Sequence, residues 1–97
     1  MSGATLEEAD LQYADFYNAD LRGAQLYRAK LRGAPLSGVD MSQANLSGAD
    51  LTRIDLSHAT LSEARLDRAI LAWATLEGAT YTEEQLRRVS SRIQISV

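Results

Sequence analysis

The chain has 97 residues, a formal net charge of −3 and no cysteine. This length allows one domain, the lack of cysteine excludes disulfides and thiolate metal sites, and the mild acidity disfavours non-specific binding of nucleic acid. No apolar run is long enough to cross a membrane and no targeting motif is present, so we expect a cytoplasmic protein without a membrane partner.

An apolar residue recurs at every fifth position from Leu6 to Tyr81, and we call each of these residues a centre. The residue two places before a centre is alanine in all sixteen units except at Val39 and Ile54. Apolar spacings of two and three fit neither an amphipathic helix nor a sustained strand, so each unit is predicted to be a very short strand followed by a turn. The centres are Leu6, Leu11, Phe16, Leu21, Leu26, Leu31, Leu36, Met41, Leu46, Leu51, Leu56, Leu61, Leu66, Leu71, Leu76 and Tyr81.

Glycine marks one position of the predicted turn. All six glycines lie two places after a centre position, where the third residue of a type II turn needs a positive φ. The turn therefore runs from a centre to the next alanine, as in Leu31–Ala34. Where the same position holds Glu8, Tyr13, Arg53 or Trp73, we expect a different turn type.

The unit Ala44-Asn45-Leu46-Ser47-Gly48 resembles the motif of the pentapeptide-repeat family, Ala-(Asp/Asn)-Leu followed by two variable residues. The resemblance covers the repeat region, residues 1–81, and implies an all-β solenoid, a right-handed β-helix of square cross-section with four units per coil. Sixteen units then give four coils, a stack only ~19 Å tall at the spacing of paired strands. Residues 82–97 are expected to form a C-terminal α-helical cap and a short apolar tail.

The first coil is predicted to have an open end. Residues 1–3 already lie in the repeat register and offer no cap. Because proteins cover such edges, either another subunit stacks here or residues further upstream cover it. The alternative is a tolerated open end in which Phe16 fills the gap.

Residues twenty positions apart are expected on the same side of the solenoid, which we call a wall. Two adjacent walls, with Phe16 and Leu21 as their centres in the first coil, carry mostly negative charge, and we call them the acidic walls. Their candidate residues are Asp15, Asp20, Asp40, Asp55, Glu63 and Glu77.

A third wall, with the centre Leu11, combines cations with the outward apolar residues Tyr13, Ile70 and Trp73, and we call it the mixed wall. Its cations are Lys30, Arg32 and Arg53. Acids interrupt these cations, so they form no continuous track for phosphates, and we expect no direct binding of nucleic acid. The fourth wall, with the centre Leu6, is balanced in charge.

The five-residue period ends near Thr82. Thr82 and Gln85 match a capping box, and Leu86, Val89 and Ile93 are spaced to lie on one helical face. This helix is expected to cover the last coil. The final segment 93–97 alternates apolar and polar residues, which predicts a strand that packs beside Trp73 or pairs with a second copy.

The residues carry no catalytic constellation. There is one histidine, His58, without a second ligand in its motif, and the recurring serines follow the repeat without an accompanying base. We therefore predict that the protein is not an enzyme and needs neither cofactor nor metal.

The leading hypothesis is a rigid scaffold for protein–protein interaction that forms a homodimer through one end of the solenoid. The candidate interaction residues are Tyr13, Ile70, Trp73, Leu86, Val89, Ile93 and Ile95. The alternative, implied by the family resemblance, is an acidic DNA mimic that inhibits or protects DNA gyrase. In that case the acidic walls would take the place of the duplex, although their charge is sparse beside one phosphate per ~1.7 Å of DNA.

Overall fold

Parallel β-bridges between residues twenty positions apart join the successive coils of the molecule. The computed structural model describes residues 3, 5–16, 19–90 and 94–96. Within these ranges, isolated β-bridges join Thr5 to Gln25, Gln25 to Asn45 and Asn45 to Arg65, and the other three walls repeat the same register. Four five-residue units therefore complete one coil, as the family resemblance implies.

One hydrogen-bond pattern connects successive coils. The N–H of Leu26 donates to the carbonyl of Asn45 at 2.8 Å, and the N–H of Asn45 donates to the carbonyl of Ala24 at 2.9 Å. Each turn closes on itself, since the N–H of Ala34 donates to the carbonyl of Leu31 at 2.9 Å. The strands are thus single bridges whose backbone groups are satisfied by the neighbouring coil.

The turns differ from expectation where glycine is absent. Glu8, Tyr13, Arg53 and Trp73 have φ values of 58, 63, 60 and 64°, close to the 72° of Gly33. The prediction that these four residues adopt a different turn type is therefore wrong for φ, which matches the value that glycine has at the same position. The N–H groups of Glu8 and Arg53 donate to the carbonyls of Tyr27 and Ala72 in the next coil, both at 2.8 Å, and such bonds stabilise the left-handed backbone although a Cβ is present.

The core is a filled column of centres and alanines. Every centre from Leu21 to Leu76 is at most 2 % exposed, and no polar or charged residue is buried in the described part of the chain. At the first coil, Leu6 and Leu11 are half-buried, whereas Phe16 is 8 % exposed. The column therefore leaves apolar surface at its first-coil end.

Pro35 interrupts the pairing between the first and second coils. No bridge joins residue 15 to Pro35, although Pro35 pairs normally with Asp55 in the third coil. Proline has no N–H to donate to the carbonyl of Ala14. The first coil is therefore held by one pair fewer on this wall.

Helix α1, Glu83–Arg87, follows the last unit. Thr82 and Gln85 form the predicted capping box, and Leu86 is 2 % exposed against the core. The Nε2 of Gln85 also donates to the carbonyls of Leu61 and Ala64, at 2.6 and 3.0 Å. These bonds fix the helix to the edge of the solenoid.

The helix is shorter than the apolar spacing predicts. It ends at Arg87 because the backbone beyond it returns to the fourth coil, where the carbonyl of Arg88 accepts from Arg68 and the N–H of Ser90 donates to Ala69. Val89 consequently lies outside the helix, and Ile93 lies outside the described residues.

The tail pairs with the fourth coil. Ser96 forms a parallel bridge with Thr75, accepting from the N–H of Leu76 at 2.6 Å and donating to the carbonyl of Ala74 at 2.9 Å. In the described residues 94–96, the segment predicted as a strand forms one isolated bridge, and this bridge lies within the chain, in the unit that follows Trp73.

Candidate interaction surfaces

The mixed wall presents two exposed aromatic rings. Tyr13 is 73 % exposed and Trp73 is 52 % exposed, at the same turn position in the first and fourth coils. The ring of Tyr13 lies over Gly33, and the guanidinium of Arg53 lies 5.6 Å from the centroid of the Trp73 ring. Both rings are therefore steadied by the neighbouring coil while remaining open to solvent.

Ile70 belongs to the same wall and is half-buried. It pairs with Asp50 through a β-bridge, and it precedes Trp73 by three residues in the fourth coil. The structure thus places Tyr13, Ile70 and Trp73 on one side of the molecule, as their twenty-residue relations predict.

The C-terminal candidates pack inside the molecule. Leu86 belongs to the buried core, and Val89 and Ile95 are half-buried against it. Leu86 is thus inaccessible, and Val89 and Ile95 are only partly exposed. Ile93, the remaining candidate, falls outside the described residues.

The acidic walls keep their side chains at the surface. Asp15, Asp20 and Asp55 precede centres and are exposed, whereas Asp40, in the same position, is half-buried. The Oδ1 atoms of Asp20, Asp40 and Asp55 accept from the backbone N–H two residues later, at 3.1, 3.0 and 3.0 Å. This is the local bonding that favours Asp and Asn in turns, and Asp10 and Asp50 on the mixed wall make it too. Glu63 and Glu77 are exposed turn residues.

Arg22 shifts the protonation of one acidic residue. Its Nε and Nη2 atoms donate to both oxygens of Asp20, at 2.9 and 2.8 Å, and these bonds lower the pKa of Asp20 to about 2. The Ser42 hydroxyl and N–H lower the pKa of Asp40 in the same direction. Both carboxylates are engaged in turn bonds, and the DNA-mimicking alternative remains a prediction.

The fourth wall contains a local cluster of positive charge, although its net charge is balanced. Three arginines, Arg28, Arg65 and Arg68, line an open depression of about 370 Å³. Gly48 lies between Arg28 and Arg68 in the same column of turn residues, and because it has no side chain the stem of Arg28 passes over it. The spacing Arg28–Gly48–Arg68 is visible in the sequence and could have identified this site. The other lining residues are Tyr27, Asn45, Ser47 and Asp67.

Two classes of site have no counterpart among the described residues. No group of three or more His, Cys, Asp or Glu side chains there could hold a metal ion. No helix of that part of the chain is both long enough and apolar enough to cross a membrane.

The family model of pentapeptide repeats matches residues 1–38, 34–72 and 44–81, with eight copies of the model. The comparison with curated proteins gives no significant match. The match covers most of the chain and coincides with the units defined by the centres.

Solved structures of pentapeptide repeat proteins share the fold. One, from the Arabidopsis thaliana thylakoid lumen, is 34% identical with a TM-score of 0.76, and the alignment covers 80% of this chain and 58% of that one. HetL, which is involved in heterocyst differentiation regulation in the cyanobacterium Nostoc sp. strain PCC 7120, is 33% identical with a TM-score of 0.70, over 97% of this chain and 48% of its own. This chain thus spans about half to three-fifths of the length of these neighbours. Their similarity implies a right-handed quadrilateral β-helix.

Proposed function

Since the chain belongs to the pentapeptide repeat family, we propose that it is a rigid, non-catalytic scaffold for protein–protein interaction. The observation that carries this proposal is the filled core. The inward positions are apolar, and the described residues bury no polar or charged side chain that could perform chemistry. What varies from coil to coil is the outward side chains, so recognition takes place on the walls and ends.

The two ends of the solenoid differ. We propose that α1 and the tail cap the fourth coil, because Leu86, Val89 and Ile95 pack onto the core there. At the opposite end Leu6 and Leu11 are only half-buried. Self-association is therefore assigned to the outer side of the first coil, not to the C-terminal end.

The first coil also offers backbone donors. Among the described residues, the N–H groups of Thr5 and Asp10 have no hydrogen-bond partner, whereas their equivalents Asn45 and Lys30 donate to the preceding coil. An unpaired row of this kind is a template for another chain. A second copy stacked on this edge would satisfy the donors and cover Leu6 and Leu11.

The mass in solution, measured by light scattering after size-exclusion chromatography, tests self-association. We expect a mass near twice 10.6 kDa for the full chain. The double variant Thr5→Pro/Asp10→Pro removes both donors and should yield a monomer, because proline has no N–H. The matched control Thr5→Ala/Asp10→Ala keeps the donors and should remain dimeric.

Two results would count against this assignment. A full chain that stays monomeric at high concentration would refute self-association. The scaffold proposal would then require a partner other than a second copy of the chain. A dimer that survives the proline variant but is lost in Tyr13→Ala/Trp73→Ala would move the interface to the mixed wall.

A further inference from the structure

The depression on the fourth wall is bordered by three arginine side chains, whose guanidinium groups are hydrogen-bond donors. Arg28 borders it from the second coil, and Arg65 and Arg68 border it from the fourth. The single acid among its lining residues is Asp67. A chain of net charge −3 thus has a local excess of positive charge at this place.

The three guanidinium groups are only loosely engaged. Arg28 lies 3.9 Å from Glu8, and Arg65 lies 4.0 Å from Asp67, with both arginine side chains more than 60 % exposed. No side-chain hydrogen bond joins Arg28, Arg65 or Arg68 to another described residue, in contrast to the two-bond pairing of Arg22 with Asp20. Exposed ion pairs of this length contribute little to stability, so their donors remain available to a ligand.

The Tyr27 ring helps to position one of these groups. The Arg28 guanidinium carbon lies 5.2 Å from the centroid of that ring, a cation–π distance. Because the stem of Arg28 also passes beside Gly48, its Cγ would lie 3.2 Å from a Cβ at that glycine. Arg28 therefore lies along the depression, over Gly48, where a side chain at position 48 would displace it.

Ser47 supplies an unused hydroxyl. Its Oγ atom is buried and has no hydrogen-bond partner among the described residues, although its backbone N–H donates to Asn45 Oδ1 at 3.1 Å. A buried polar atom without a partner is unfavourable, and a ligand that accepted from this hydroxyl would remove that cost. Ser47 and Gly48 are neighbours in the lining of the same depression.

We propose that this depression binds a phosphate group. Arginine recognises phosphate through pairs of parallel N–H···O bonds, and three guanidinium groups with one hydroxyl suit a ligand that has three terminal oxygens. Nucleic acid is a poorer candidate, because the acidic walls lie on the same small molecule. The phosphate would belong to a small phosphorylated molecule or to a phosphorylated side chain of a partner protein. This site does not rest on the scaffold proposal.

Titration with inorganic phosphate at constant ionic strength tests the site, with the amide signals of Ser47 and Gly48 followed by NMR. We expect saturable shifts at these two amides. Arg28→Gln/Arg68→Gln should weaken binding on the order of tenfold, a loss of about 1.4 kcal/mol. The matched control Arg32→Gln/Arg53→Gln removes two cations from the mixed wall and should leave the affinity unchanged.

A second pair of variants tests the shape of the site. Gly48→Asn puts a residue that tolerates positive φ where the stem of Arg28 lies, so it should displace Arg28 and abolish the shifts, whereas Gly38→Asn on the wall of Phe16 should preserve them. The proposal is overturned if chloride reproduces the shifts, if the control double variant weakens binding equally, or if Gly48→Asn binds normally. A phosphoserine peptide that binds far more tightly than inorganic phosphate assigns the source to a partner protein, and equal affinities assign it to a small molecule.

Discussion

The third residue of each turn has a positive φ in glycine and non-glycine residues alike. Gly23 and Gly33 have φ values of 67 and 72°, and Glu63 and Arg68 have 59 and 62°. A left-handed φ is costly for residues with a Cβ, so the non-glycine turns are held by their neighbours. Glycine at this position therefore stabilises the fold locally.

Replacing Gly33 by alanine should lower the free energy of unfolding by about 1 kcal/mol, because alanine disfavours positive φ. A Cβ at Gly33 would also come within 2.5 Å of Tyr13 Cε1, so the exposed ring must move aside. Gly23→Ala is the control, since its nearest neighbour would be Gly3 N at 4.0 Å. Urea denaturation should show a similar loss in both variants, and NMR should show a displaced Tyr13 ring in Gly33→Ala alone. A neutral Gly23→Ala would contradict the backbone argument.

The pairing of Asp20 with Arg22 predicts a specific acid response. The pKa of Asp20 falls from 3.8 to about 2 in the folded chain, so its contribution to stability is complete above pH 4 and is lost as the pH falls towards 2. Arg22→Gln should raise the pKa towards its ordinary value and move this loss to higher pH. The carboxyl carbon signal of Asp20, titrated by NMR, measures the shift, and Lys30→Gln controls for loss of one cation elsewhere. An unchanged midpoint in Arg22→Gln would show that the turn N–H sets the pKa.

At the scale of elements, the sequence predicts where the C-terminal helix begins but not where it ends. The capping box of Thr82 and Gln85 is a local signal, and the structure contains it. The end of the helix is not set by a local sequence signal. It follows from the pairing of Arg88 and Ser90 with the fourth coil, which the spacing of Leu86 and Val89 does not reveal.

Gln85 links this helix to the solenoid and should be its most sensitive polar residue. Gln85→Ala removes the reciprocal capping bond, leaves the carbonyl of Ala64 without its donor, and leaves the carbonyl of Leu61 with the N–H of Ala64 alone, a loss of about 1–3 kcal/mol. Glu83→Ala, in the same helical turn, should cost much less. Thermal unfolding followed by circular dichroism compares the two variants. Equal effects would mean that the bonds to the solenoid contribute nothing.

At the scale of the whole molecule, the unbroken five-residue count predicted repeated short strands and turns, but not how many of them form a coil. The register of twenty follows from four units per coil, which the family resemblance implied, and the bridges from Thr5 to Gln25 onward confirm it. The arginine depression was missed because summed charge on a wall hides position. Arg28, Gly48 and Arg68 come together only when the coils are stacked, and the unpartnered hydroxyl of Ser47 is visible only in three dimensions.

The stacked architecture predicts that a whole coil can be added. Inserting a second copy of residues 46–65 after Arg65 preserves every wall and adds one coil–coil interface, so the solenoid should lengthen by ~4.8 Å and become more stable. Inserting residues 46–64 instead shifts every later centre by one position, which exposes leucines and buries polar residues. Urea unfolding should therefore show a higher midpoint for the twenty-residue insertion and a strong loss for the nineteen-residue insertion. Similar midpoints would mean that the stability resides in single units, contrary to the inter-coil hydrogen bonds that join Leu46 to Arg65 and Arg65 to Ala44.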